Sequence, residues 1–209
     1  MRKRAAWLSL AASAALLTAT MASTPAGAAT TWTVQPGGAV TAASGNLTLW
    51  DTSKGGAAIE CPPSTVHAVL QSGSGLPGTA IGSVTAASFQ NCTGPAGLTY
   101  TLTAGHLPWQ LNVVSYDSSS GTASGTITGV HVILSGPGCA GVVDGTGAGQ
   151  DDGTIDISYN NKTHNLSWFK TGGNLHFYQV SGCGFFVSGH PAGFAATFSV
   201  SPPQAITSP

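Results

Sequence analysis

The stretch that most limits what this chain can fold into is Thr126 to Cys139, TITGVHVILSGPGC. Ile127, Val130, Val132, Ile133 and Leu134 form a nearly continuous apolar run rich in β-branched residues, bounded by Gly, Ser and Pro. Branched side chains pack well on a pleated surface, and a run this short cannot cross a bilayer. It predicts a strand buried on both faces, in the middle of an all-β core.

The rest of the chain repeats that theme with shorter strands. Expected strands are TWTVQP, closed by Pro36-Gly37-Gly38, then Asn46 to Asp51, Thr65 to Leu70, Ile81 to Phe89, Leu98 to Ala104 and Gln110 to Tyr116. After the central run come Thr154 to Tyr159, Asn165 to Phe169, Asn174 to Val180, Phe185 to Ser188 and Phe194 to Val200. Gly, Ser, Asn and Pro supply the turns between these runs, and Ser135 to Gly153 reads as a long loop. Alternating strands with no 3.6-residue apolar period indicate an antiparallel β-sandwich or barrel-like fold of many short strands.

The first residues combine a basic start (Arg2, Lys3, Arg4), an apolar stretch and Ala26-Gly27-Ala28, the pattern of a secretory signal peptide cleaved after Ala28. Residues 29–201 read as one secreted β-rich domain and residues 202–209 as a flexible tail. Once the leader is removed, three lysines (Lys54, Lys162, Lys170) face seven carboxylates, a net charge of −4 with no arginine. Nucleic acid is thereby excluded as an expected partner, because phosphate binding draws on clustered Lys and Arg. No membrane association is expected after cleavage, and the expected localisation is extracellular.

Four cysteines in an exported chain read as two disulfides, for which three pairings exist. The two halves of the chain echo one another loosely: a strand runs into a cysteine, a second cysteine follows, and a Gly/Pro turn leads to a closing strand, LTYTLTA or FAATFSV. The echo favours Cys61 with Cys92 and Cys139 with Cys183, and suggests two related sheet units. No CxxC or CxH pair supports zinc binding by the cysteines.

The segments IGSVTAASFQNCTGPAG, HLPWQLNVVSYD, GTITGVHVILSGPGC, ISYNNKTHNLSWF and VSGCGFFVSG together resemble a group of secreted, disulfide-containing actinobacterial proteins with no assigned activity. The resemblance spans nearly all of the mature chain. It implies a fold and a compartment, and carries over no catalytic residue.

Candidate chemistry is sparse. Leu102 to His106, LTAGH, is similar to the catalytic-histidine segment of secreted chymotrypsin-like proteases, but Leu107 follows it and no GDSGG serine occurs. Asp144 to Asp156, DGTGAGQDDGTID, offers oxygen ligands without the spacing of a calcium loop and reads as a solvated acidic loop. Glu60, Asp117 and Asp156 are not paired by any pattern, and His67, His131 and His176 lie apart in separate strands. No catalytic residue, metal or cofactor is assigned. The strand aromatics Trp50, Trp109, Trp168 and Tyr178 are the ligand-binding candidates, suited to a glycan or a protein, with core packing as the alternative. The reading is a secreted non-catalytic binding or structural module. Its alternatives are a secreted hydrolase using His106 and an extracellular protease inhibitor presenting a loop near Cys61 or Cys139.

Overall fold

A computed structural model describes residues 30–55, 58–168 and 172–209; the leader read at residues 1–28 lies outside them. Among the described residues fifteen strands run in chain order: β1 (Trp32–Gln35), β2 (Gly38–Asp51), β3 (Ala58–Cys61), β4 (Thr65–Leu70), β5 (Gly73–Leu76), β6 (Gly82–Thr93), β7 (Thr99–Gly105), β8 (Trp109–Asp117), β9 (Thr122–Gly136), β10 (Cys139–Asp144), β11 (Gly153–Asn160), β12 (Asn165–Trp168), β13 (His176–Ser181), β14 (Ala192–Ser201) and β15 (Ala205–Thr207). The one helical element among the described residues is a short 3-10 turn at Pro95–Gly97. No helix among these residues is long and apolar enough to cross a membrane.

The pairings close on themselves. Going round, β2 pairs β4, β4 pairs β6, β6 pairs β8, β8 pairs β9, β9 pairs β11, β11 pairs β12, β12 pairs β14 and β14 returns to β2, every pair antiparallel. This is an up-and-down barrel of eight strand positions. The long strands β2 and β9, of 14 and 15 residues, run its full height, about 45–50 Å at ~3.3 Å per residue along the strand. β6, of 12 residues, and β14, of 10, also fill one position each, and each of the remaining four is filled by two shorter strands stacked end to end: β3 above β4, β7 above β8, β10 above β11 and β13 above β12.

Each interruption has a cause in the sequence. Pro62-Pro63 removes two ladder donors between β3 and β4, where Ser44 N–H donates to the Ser64 carbonyl at 2.9 Å. His106-Leu107-Pro108 divides β7 from β8, and residues 145–152 divide β10 from β11. The first half of the chain thus supplies four neighbouring positions of the barrel and the second half the other four. Each half carries one disulfide, Cys61–Cys92 and Cys139–Cys183.

Strand alternation sorts the side chains. In β4, Val66, Ala68 and Leu70 are buried while His67 and Val69 face out; in β8, Trp109, Leu111 and Val113 point inward. The outer face carries Thr48, Thr65, Thr85, Ser88, Thr103 and Gln110, together with exposed Val69, Val114 and Ile133. Bulky Phe89, Phe177 and Phe194 fill the upper half with Leu47, Leu49 and Ile59. The lower end is closed by a separate three-stranded sheet, β15-β1-β5, which brings Trp32, Val34 and Ile206 beneath the barrel core.

The central run behaves differently from the two-face burial its composition predicts. β9 is central, with neighbours on both edges, but Ile133 is exposed. A bulge at Gly129 (φ 82°) shifts the phase, so Ile127 on one side of it and Val130, Val132 and Leu134 on the other all face the interior. Other readings change as well. Residues 58–61 and 139–144, expected in loops, are β3 and β10, while Phe185 to Ser188 forms no strand. The segment expected to be a flexible tail contains β15, which pairs with β1, and Gln204 and Ile206 are buried.

Candidate functional site

Two places in the barrel carry chemistry. The first is the interior of the lower half. The inward positions there include Ala42, Ala68, Ala123 and Gly125, where the upper half has phenylalanines. Gly125 is required by a close approach: a Cβ at that position would lie 1.9 Å from the Asn112 carbonyl oxygen on the neighbouring strand. These small side chains leave a cavity of about 70 Å³, its surface apolar throughout, walled by Val40, Val84, Leu111, Ile127 and Ile157 among others. Tyr159 and Gln204 stand at its margin with Trp168. Tyr159 Oη donates to the Gln204 carbonyl and accepts from the Gln204 N–H, both at 3.0 Å. Burial raises the Tyr159 hydroxyl above its ordinary pKa, and the bond to Gln204 offsets part of that rise.

The second place is at mid-height on the outside, where two strand interruptions flank β9. His106 follows β7 with φ 52° and Asp151 precedes β11 with φ 55°, both in the left-handed region that non-glycine residues rarely adopt. Between them His131 projects outward from β9 yet is only 5% exposed, because His106 and the 144–152 loop cover it. The two imidazoles stack with centroids 4.4 Å apart and planes 18° from parallel. His106 Nδ1 is hydrogen-bonded to Asp151 Oδ1, which also lies 3.3 Å from His131 Nδ1. His131 Nδ1 is 2.9 Å from Oδ2 of Asp144, a residue with no exposed surface.

Burial would push the Asp144 carboxyl up. The bond from His131 and the N–H donors of Gly145, Asp151 and Gly149 outweigh it and hold the group below the ordinary carboxylate range. Asp152 is likewise lowered, chiefly by the Thr146 hydroxyl and N–H. The acidic loop is therefore folded onto its own backbone, and Asp144 is aimed at His131. Gly105 packs against this ring: a Cβ there would come 2.7 Å from His131 Cδ2.

The residues singled out from the sequence are dispersed. Trp109 is 1% exposed, its Nε1 donating to the Gly105 carbonyl at 3.0 Å, so it braces the turn that carries His106. Trp168 is buried among Phe89, Phe194 and Phe198, and its Nε1 has no hydrogen-bond acceptor among the described residues. Trp50 and Tyr178 are half-buried, Trp50 lying across Gly193 and Tyr178 donating to the Gly145 carbonyl at 2.9 Å. These four aromatics line no common face. His67 is bonded to Thr41 and His176 to the Asn174 carbonyl, so His67, His131 and His176 do not converge. Asp117 is held to about 2 by the Ser119 and Ser120 hydroxyls in its turn, and Glu60 is exposed on β3. His106 has the aspartate a catalytic histidine needs, but no serine hydroxyl among the described residues is bonded to it.

Fold and sites together define a disulfide-stapled, closed antiparallel β-barrel with an apolar interior. A family model described as alkane oxidation protein activator PraA/PraB-like matches residues 1–183, and the chain belongs to that family. No curated protein and no solved structure matches it.

Proposed function

We propose that this protein is a secreted, non-catalytic binding module whose barrel takes a small apolar guest, a short hydrocarbon chain or the end of a longer one. The apolar cavity in the lower half carries this reading. Eight-stranded barrels are wide enough either to be filled by side chains or to hold one small ligand, and here alanines and a glycine leave the second option open. A volume of about 70 Å³ is about five times what one water needs, and apolar cavities of this kind stay dry and take apolar guests. The family's description, an activator of alkane oxidation, supports a guest of hydrocarbon character. Two disulfides support an oxidising, extracellular setting.

Pentane or xenon should raise the thermal midpoint of the purified protein, and the shift should vanish when Ala68→Phe fills the space. If no apolar guest moves the midpoint, or if A68F leaves the shift intact, the barrel interior is not the binding site. Trp50 and Tyr178, half-exposed on the outer surface, are the contacts available to a glycan or protein partner. For the alternative hydrolase reading, Asp151 is bonded to His106, and no serine hydroxyl among the described residues is.

A further inference from the structure

We propose that His106, His131 and Asp151 form a binding site for a divalent transition-metal cation of the zinc class, separate from the barrel cavity. One ligand atom from each of the three residues lies within 4.8 Å of the others. Imidazole nitrogen and carboxylate oxygen are both zinc ligands, and three protein ligands with one open position make an accessible tetrahedral site.

The charges point the same way. Asp151 Oδ1 faces His106 Nδ1 and His131 Nδ1 together, and Asp144 Oδ2 faces His131 Nδ1 from the other side at 2.9 Å. An ionised carboxylate only accepts, so in the metal-free protein imidazole N–H groups fill these contacts, and a cation entering the site displaces ring protons turned toward Asp151. No lysine forms an ion pair with either aspartate among the described residues. A single cation held by Asp151 and one ring nitrogen of each histidine takes the place of the protons between these three side chains. Asp144 supplies the second negative charge beside it. Its own position is fixed by the backbone N–H groups of Gly145, Gly149 and Asp151, which makes it the residue that holds His131 in place. The side chains of His106 and Asp151 are 55% and 39% exposed, so a cation reaches the site from solvent without opening the barrel.

The test is a titration of tag-free, chelator-stripped mature protein with zinc chloride, read by calorimetry, with cobalt absorption as a second signal. One equivalent should bind saturably. His106→Ala and Asp151→Asn, both at exposed side chains, should each weaken binding at least about tenfold, and Asp144→Asn by about 10–100-fold. His67→Ala, on the outer face of β4, should leave it unchanged. His131→Gln is read only alongside these variants, since His131 is buried. Absence of saturable binding overturns the assignment, and so does binding that H106A and D151N leave intact.

Discussion

Asp144 shows how one side chain organises a region. With no exposed surface, it meets His131 and three backbone N–H groups and so converts the connection between β10 and β11 into a fixed cover for the β9 strand. Replacing its carboxylate by an amide leaves donors facing donors, at a cost of about 2–3 kcal/mol for a buried, charge-assisted set of bonds. The pH dependence has a definite sign. The folded-state pKa is lowered, so the contribution is fully present above the unfolded value of about 3.9 and disappears as pH falls through the folded value. Urea midpoints measured from pH 6 to pH 2 should therefore drop below about pH 4 in the native protein, and drop less in Asp144→Asn. Parallel curves for the two proteins would mean that Asp144 does not carry this effect.

At the scale of elements, legibility follows local pattern. The alternation in TVHAVL marks β4 at its observed ends, whereas β3 and β10 are short and sit among Gly and Pro, whose local preference favours turns. Tertiary pairing with β2 and β9 makes strands of them. The site residues are visible singly: His106 in LTAGH, His131 in the central run, Asp144 and Asp151 in the acidic loop. Their convergence is not, because it depends on the bulge at Gly129 and on contacts across 13 to 45 positions of chain. β15 is a similar case. Nothing in SPPQAITSP announces a strand, yet Tyr159 Oη satisfies both backbone groups of Gln204, and Gln204 Oε1 accepts from Gly37 N–H at 2.9 Å. Tyr159→Phe strands a buried N–H and a buried carbonyl and should cost about 1–3 kcal/mol. It should also render the residues after Ser201 sensitive to carboxypeptidase. A variant of unchanged stability with an intact C-terminus would show that β1 and the Asn161 amide, which bonds both backbone groups of Ile206, retain β15 without it.

Across the whole molecule the two ends of the barrel are held by different means. The lower ring is closed by antiparallel ladders at every position, including β9 with β11 and β12 with β14. The upper ring has a seam. β13 pairs with β10 along one edge, but on the other it meets the chain before β14 through the single bridge His176–Pro191 and a few backbone bonds, such as Phe177 N–H to the His190 carbonyl at 2.9 Å. The Cys139–Cys183 disulfide ties the start of β10 to the loop leaving β13 beside that seam. Closing a loop with a sequence separation of 44 stabilises by about 4 kcal/mol on the chain-entropy model. Replacing both cysteines by alanine should lower global stability by about that amount. The loss should not be even: amide exchange should quicken first in β13 and β10, while β4, β8 and β11 around the cavity keep their protection until global unfolding. Because the cavity lies in the lower ring, the midpoint shift produced by pentane should survive in this variant. Uniform loss of protection, or loss of the pentane shift, would mean that the two ends of the barrel behave as one cooperative unit.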